Sequence, residues 1–183
     1  MNRLIRPVLT ALTIACAAAL FASVTTDRAM AQQQGGELKQ MAITQKQIDG
    51  AIAAQKDMEA LTAKMQPNAK PDPKVLAQVE ATAKKNGFAS TDEYYTVMDN
   101  ISLVYGGIDP ATKKYVGTEA VTKAQIAEVQ ADKKMSPKDK KAALDDLNMA
   151  LKEPGPDVQN KGNIDLVVKN YDKLSTVMGE GQN

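Results

Sequence analysis

The fold is decided by the stretch FASTDEYYTVMDNISLVYGG, which spans residues 88–107. Ser90 or Thr91 can cap the amino terminus of a helix, because a side-chain oxygen there accepts from the unpaired backbone N–H groups of the first turn. Gly106 and Gly107 can supply the left-handed residue that ends a helix. The apolar residues between these signals recur at steps of three and four, and they are Tyr94, Val97, Met98, Ile101, Val104 and Tyr105. This spacing predicts a central helix with one buried face.

Similar signals predict five more helices around the central one. Thr44 with Gln47, and Thr122 with Gln125, have the form of a capping box, in which the hydroxyl and the amide each bond a backbone N–H group. The other predicted helix starts are Asp72, Ser136 and Asn163, and the predicted ends are Gln66, Asn86, Glu153 and Met178. Residues 163–178 have the most regular apolar period, so we expect one continuous helix there.

These elements define the predicted fold class. We find no run of alternating β-branched residues long enough for a strand, so the chain is predicted to be all-α. About six short helices would form a bundle or an orthogonal helical array. We expect the first two helices and the last two helices to pair, with the central helix between the pairs.

The amino-terminal residues have the form of an export signal. Arg3 and Arg6 precede an apolar run over residues 8–24, and small residues stand at Ala29 and Ala31. We predict a signal peptide over residues 1–31 and a periplasmic or secreted protein after cleavage; a retained membrane anchor is the alternative. Residues 32–40 are predicted to be a disordered lead-in, residues 41–178 a single helical domain and residues 179–183 a flexible tail.

Composition limits the chemistry that the mature chain can perform. The sequence has no histidine, and its one cysteine, Cys16, lies in the predicted signal peptide. Histidine-based catalysis, thiol nucleophiles and soft metal ligands are therefore not expected, and we predict no catalytic residues, no metal site and no cofactor. The signal holds three arginines and one aspartate, so its removal lowers the net charge from +1 by two, to −1. We expect no binding of nucleic acid and no stable insertion into a membrane.

One short motif occurs twice. Residues 43–48 read ITQKQI and residues 121–126 read VTKAQI, each an aliphatic residue followed by Thr-x-x-Gln-Ile at the head of a predicted helix. The pair resembles the LTxxQ signature of the Spy/CpxP-type periplasmic proteins, with Ile or Val in place of the leading Leu. The general build is also similar to that of small secreted all-helical proteins of alphaproteobacterial genomes. The resemblance implies an exported helical chaperone or stress sensor, whereas two capping boxes with a preceding apolar residue are the structural alternative.

Two functions are compatible with these observations. The first is a non-enzymatic, chaperone-like protein that binds other envelope proteins through an apolar groove between helices. The candidate lining residues are those tied to the repeated motif: Ile43, Ile48, Ile52, Val121 and Ile126. The second is a carrier that encloses a small hydrophobic ligand, with Tyr94, Tyr95 and Tyr105 as polar handles. Among the methionines, Met41, Met135 and Met149 are candidates for an exposed client surface. The oligomeric state is not indicated.

Overall fold

The computed structural model describes residues 38–63 and 72–179 of the chain. The predicted signal peptide, most of the predicted lead-in and the last residues of the predicted tail lie outside the described residues. The helices are α1 (Gln45–Thr62), α2 (Pro73–Lys85), α3 (Thr91–Tyr105), α4 (Thr118–Ala131), α5 (Pro137–Lys152), α6 (Lys161–Lys169) and α7 (Tyr171–Gly179). Two strands of two residues each, β1 (Ile108–Asp109) and β2 (Lys114–Tyr115), pair antiparallel between α3 and α4.

The prediction of an all-α protein is confirmed. Seven helices cover most of the described residues, and the short β1–β2 ladder is the sheet found among them. Helix α1 packs against α2, α3 and α7, and α3 also packs against α2 and α6. No helix within residues 38–63 and 72–179 is long and apolar enough to cross a membrane.

Local capping explains several of the helix starts. Thr44 and Gln47 form the predicted capping box at α1, in which the Gln47 side chain accepts from the Thr44 N–H at 3.0 Å. Ser90 caps α3 by accepting from the Glu93 N–H at 3.2 Å. Asp72 and Ser136 cap α2 and α5, each followed by a proline at the first helical position, where its missing N–H costs nothing. These four starts are confirmed because they depend on contacts within one turn.

The core lies around the predicted central helix. Tyr94, Val97, Ile101 and Val104 on α3 are almost completely buried, and each contributes on the order of 1.5–3 kcal/mol by leaving water. The other buried apolar residues come from α1, α2, α6, α7 and the connecting segments: Ile43, Ile48, Ala51, Ala54, Met58, Val79, Ala83, Phe88, Ile108, Val158, Val167 and Leu174. The predicted buried face of α3 is therefore the face on which the core is assembled.

The end of α3 differs from the prediction. Gly106 has a φ of −63°, so the expected left-handed residue is wrong at this position. Gly107 is required for another reason, because a Cβ there would overlap the Tyr115 ring and lie 3.1 Å from its Cδ2 atom. The absence of a side chain thus lets the β2 strand close over the end of the central helix.

Two further predictions about the helices are wrong. The last helix is divided by Asn170 into α6 and α7, and the Asn170 side chain bonds both the Leu166 carbonyl and Gln45. The pairing of the last two predicted helices is also wrong, because α5 packs on α4 whereas α6 packs on α3. The folded domain also begins before the predicted residue 41, since Lys39 and Gln40, which are predicted to belong to the disordered lead-in, form hydrogen bonds to Asn100 and Asp157.

Candidate functional site

Helices α4 and α5 form a unit that is distinct from the core. They pack on each other, and α4 also contacts β1. No residue of 118–152 belongs to the buried apolar cluster, and no partly buried apolar residue packed against that cluster comes from this segment. The turn between the two helices is closed by Lys140, whose ammonium group donates to the carbonyls of Gln130 and Asp132. We refer to residues 118–152 as the α4–α5 pair.

The α4–α5 pair carries an apolar seam that it does not bury. Its larger apolar side chains are half-buried rather than buried, and they are Val121, Ile126, Val129, Met135, Leu144, Leu147 and Leu151. Thr122 is the buried residue of α4, and α5 has none. Met149 on α5 is 60% exposed and lies on the opposite side of this helix from Leu147 and Leu151. Two helices alone cannot enclose both apolar stripes, so the edges of the seam remain accessible to water.

The second copy of the repeated motif differs in structure from the first. Helix α4 begins at Thr118. The N-cap residue before it, Gly117, has a φ of 89° and cannot supply a side-chain cap. Thr122 therefore lies one turn inside the helix, where its hydroxyl donates to the Thr118 carbonyl at 2.9 Å. The predicted capping box of Thr122 with Gln125 is wrong, whereas the first motif does cap its helix.

The five candidate groove residues fall into two separate groups. Ile43 is 5% exposed and Ile48 is fully buried, so both belong to the core, and Ile52 is partly buried against it. Val121 and Ile126 lie on the half-buried seam of the α4–α5 pair. Of the predicted groove, the residues that lie outside the core are therefore Val121 and Ile126 on α4. Sequence periodicity cannot make this distinction, because a seam and a core face have the same spacing.

The methionine candidates are also divided by the fold. Met41 packs against the core and Met135 is half-buried, whereas Met149 has most of its side chain in water. Met149 thus belongs to the same unit as Val121 and Ile126. A methionine at such a position is flexible and polarizable, and it can adapt to varied apolar partners.

The three candidate tyrosines do not converge on one site. Tyr94 is buried, its hydroxyl donates to Gln55 at 2.9 Å, and its ring lies edge-on to that of Tyr95 with centroids 5.3 Å apart. Tyr105 stacks on Tyr171 with ring centroids 5.2 Å apart. Eleven residues of one helix separate Tyr94 from Tyr105, which is about 16 Å along the axis. The three tyrosines therefore do not line one cavity, as a carrier of a small hydrophobic ligand would require.

Burial and neighbouring groups shift the pKa values of these tyrosines. Burial is the main cause that raises the pKa of Tyr94 above its ordinary value. Burial, together with a hydrogen bond to Tyr171, raises the pKa of Tyr105 to about 12. Both phenols stay protonated at neutral pH and act as packing and hydrogen-bonding groups.

Two carboxylates accept hydrogen bonds from groups at the amino-terminal end of α3. Glu80 accepts from the backbone N–H and the hydroxyl of Thr91 at 2.8 and 2.7 Å, and these bonds lower the pKa of Glu80 to about 2. Glu93 accepts from the Ala89 N–H, which lowers the pKa of Glu93 as well. Among the described residues, no three histidine, cysteine, aspartate or glutamate side chains are grouped to hold a metal ion.

Two open depressions indent the described surface. The first, of about 400 Å³ between α1 and α2, is lined by Asp57, Ala60, Leu61, Gln78, Ala81 and Thr82. The second, of about 380 Å³ beside the start of α3, is lined by Lys39, Met41, Ser90, Asp92, Glu93 and Thr96. Both linings mix polar and apolar groups, whereas small-molecule sites are mostly apolar and enclose the ligand.

Comparison of the chain with protein-family models, with curated proteins and with solved structures found no match. The function must therefore be argued from the residues and their arrangement. The feature that sequence reasoning missed is the separation of the α4–α5 pair from the core. Its sequence signal is the α5 segment PKDKKAALDDLNMALK, in which charged residues leave only a narrow apolar stripe. Such a stripe is typical of a helix with a single packing partner.

Proposed function

We propose that this protein is a non-enzymatic binding protein of the cell envelope, and that its α4–α5 pair holds apolar segments of other envelope proteins. One observation carries the proposal: two helices of 14 and 16 residues add no residue to the core, yet they present a half-buried apolar seam. The envelope location rests on the predicted export signal of residues 1–31, and the non-enzymatic nature rests on the lack of histidine and of cysteine beyond Cys16.

The energetics of the α4–α5 pair support this use. Helices of this length are marginal on their own and gain most of their stability from packing of an apolar face. The seam of the α4–α5 pair is only half covered, so an apolar segment laid along it would remove further apolar surface from water at about 25 cal/mol per Å². A bound segment would therefore stabilise the α4–α5 pair as well as being held by it.

The exposed charged residues of the α4–α5 pair are compatible with a surface that stays in water when no segment is bound. Lys123 pairs with Glu119 at 2.6 Å, and Lys141 pairs with Asp145 at 2.5 Å, both one helical turn apart on exposed positions. Such pairs contribute little to stability, but they surround the seam with groups of both signs. A surface of mixed charge does not select for nucleic acid or an acidic partner, so apolar contact would determine what binds.

The proposal is tested by the aggregation of an unrelated, chemically unfolded protein diluted into buffer and followed by light scattering. The protein should suppress aggregation at near-stoichiometric amounts. Leu151→Glu places a charge on the seam and should weaken the suppression several-fold. The matched control is Leu76→Glu, which changes a residue of similar type on α2 that is 47% exposed, and it should leave the suppression intact.

Helix content measured by circular dichroism establishes that both variants are folded. The proposal is wrong if the unmodified protein has no effect on aggregation. It is also wrong if Leu151→Glu and Leu76→Glu behave alike, because the seam would then play no special part.

A further inference from the structure

In contrast to the flanks of the seam, which carry both signs, the turn that joins α4 to α5 is strongly basic. Residues 132–141, DKKMSPKDKK, hold five lysines and two aspartates, a net charge of +3. The remainder of residues 32–183 holds 15 lysines and 19 acidic residues, a net charge of −4. The near-zero net charge of residues 32–183 therefore conceals two regions of opposite sign. We call residues 132–141 the lysine tip.

The two aspartates of the lysine tip are bonded within the turn. Asp132 accepts from the N–H groups of Lys134 and Met135 at 2.6 and 3.3 Å. Asp139 accepts from the Ser136 hydroxyl at 2.7 Å, and its own N–H donates to the same hydroxyl oxygen. Such local bonds fix the conformation of the turn. Within the described part of the chain neither carboxylate forms an ion pair, so they do not occupy the ammonium groups beside them.

Three of the five lysines are free to meet a partner. The side chains of Lys133, Lys134 and Lys138 are exposed, and none of them forms an ion pair with another described residue. The other two lysines have contacts within the α4–α5 pair. Lys140 bonds carbonyl groups at the end of α4, which offsets the negative end of that helix. Lys141 pairs with an aspartate one turn later on α5.

Apolar side chains stand among these lysines. Met135 is half-buried at the end of the seam, and Pro137, two residues later, is exposed. The stem of a lysine is itself apolar and can lie along such side chains while its ammonium group stays in water. Basic residues beside apolar ones are typical of protein surfaces that lie at the headgroup region of a membrane.

We propose that the lysine tip binds reversibly to the surface of a bilayer that contains anionic lipids. Clusters of about four to eight basic residues on an amphipathic helix are attracted to such surfaces. Each lysine near the surface contributes about fivefold to the affinity, so the three free lysines together contribute about a hundredfold. Two apolar side chains are too few for insertion, so the binding is peripheral. This proposal does not depend on what the seam binds.

The composition of the lysine tip fits a lipid surface better than a nucleic acid. Its cations are all lysines, and the three arginines of the chain lie at residues 3, 6 and 28. Arginine forms bidentate bonds to phosphate groups and guanine, whereas lysine is a point charge that needs no fixed geometry. The lysine tip also has no aromatic residue on which a base could stack. The predicted export signal would likewise bring the protein to a membrane.

The charge on the rest of the protein gives the bound state an orientation. An anionic surface attracts the lysine tip and repels the remainder of residues 32–183, whose net charge is −4. The protein should therefore approach the membrane with the lysine tip first. Both effects act over about 8 Å at physiological ionic strength, so added salt should weaken the binding.

Cosedimentation with lipid vesicles tests the proposal. The exported protein, without the predicted signal peptide of residues 1–31, is mixed at low ionic strength with vesicles of phosphatidylglycerol and phosphatidylcholine, and the bound fraction is measured. The protein should bind these vesicles, bind less as salt is added, and not bind vesicles of phosphatidylcholine alone. The triple variant Lys133→Gln, Lys134→Gln, Lys138→Gln should have a partition coefficient about a hundredfold lower.

The matched control is the triple variant Lys46→Gln, Lys56→Gln, Lys74→Gln. These three lysines are exposed on α1 and α2, and their loss changes the net charge by the same amount. The control should bind within a few-fold of the unmodified protein, and circular dichroism establishes that both variants are folded. Equal losses for the two variants, equal binding to phosphatidylcholine vesicles or no binding to the anionic vesicles would overturn the proposal. Tighter binding to a short DNA duplex than to the anionic vesicles would overturn the assignment to lipid.

Discussion

Asn100 and Met41 are 59 residues apart in the sequence, and the Met41 N–H donates to the Asn100 side-chain oxygen at 3.0 Å. The Asn100 amide also donates to the carbonyls of Lys39 and Thr96. A residue on the buried face of the central helix thus bonds the main chain of the segment that precedes α1. Among the described residues, no buried side-chain nitrogen or oxygen lacks a hydrogen-bond partner. The folded domain therefore includes residues 39–43 as an integral part.

Replacing Asn100 should destabilise the domain more than an exposed asparagine does. Asn100→Ala leaves the part-buried Met41 N–H without a partner, and we expect a loss of about 1–3 kcal/mol in the free energy of unfolding. The control is Asn148→Ala on α5, whose exposed amide bonds only its own helix. Urea denaturation measures both values. Equal losses for the two variants would contradict the role assigned to Asn100.

Two adjacent glycines should respond differently to the same substitution. Gly107→Ala brings a methyl group against the Tyr115 ring and should cost about 1–3 kcal/mol, the range for overpacking. Gly106→Ala is the matched control, because its added Cβ would lie 3.5 Å from the Ser102 carbonyl oxygen and its φ of −63° suits alanine. Thermal unfolding of both variants compares them, and a Gly107→Ala protein as stable as Gly106→Ala would refute the account.

Stability should decline in acid partly through Glu80. Its pKa is lowered from 4.5 to about 2 by its bonds to Thr91, so its ionised form stabilises the folded state above pH 4.5. This contribution is lost as the pH falls from 4.5 through about 2, where the folded protein also takes up the proton. Glu80→Gln should therefore have a flatter profile of unfolding free energy over this range.

The control for the pH profile is Glu128→Gln on α4. Its exposed side chain makes no hydrogen bond among the described residues, so this substitution removes a carboxylate without removing a contact. The comparison is made by denaturant unfolding at a series of pH values. Parallel profiles for Glu80→Gln and the unmodified protein would show that the Thr91 contact does not contribute.

The α4–α5 pair should open more readily than the core. Its amides are protected by two helices that bury one residue between them, Thr122, whereas α3 buries five. Hydrogen exchange followed by mass spectrometry should find amides of residues 118–152 exchanging at least about tenfold faster than those of residues 94–104. Equal protection of both segments would mean that the α4–α5 pair is stabilised as strongly as the core.

Helix starts with a side-chain cap could be predicted from the sequence, because the cap and its partner lie within four residues. Thr44, Asp72, Ser90 and Ser136 are such cases. The start of α4 could not, because Gly117 begins the helix by its positive φ and leaves no side-chain signal. Capping motifs therefore locate helix starts well, except where backbone conformation alone determines the start.

The long-range polar contacts could not be predicted. Asn163 bonds residues that are 120 and 122 positions earlier, and nothing local to either segment indicates the pairing. The break at Asn170 was missed for the same reason, since its side-chain amide pairs with Gln45 across the fold. The available signal is an asparagine on an apolar stripe, which shows that a partner is needed but not where it lies.

The sequence does not separate core residues from residues of the seam. Val121 and Ile126 lie on α4, whereas Ile43 and Ile48, which belong to the other copy of the motif, lie in the core. Whether an apolar stripe faces a core or a single neighbouring helix depends on tertiary packing. Periodicity reports the existence of a stripe and not the depth to which it is buried.

Hydrogen exchange in the presence of an unfolded client protein tests the central claim most directly. The account predicts that a client slows exchange in residues 118–152, because it covers the seam and stabilises the α4–α5 pair, while residues 94–104 of the core keep their rates. Slower exchange confined to other segments, or no change at a client concentration that saturates the suppression of aggregation, would contradict the assignment of the α4–α5 pair as the binding surface.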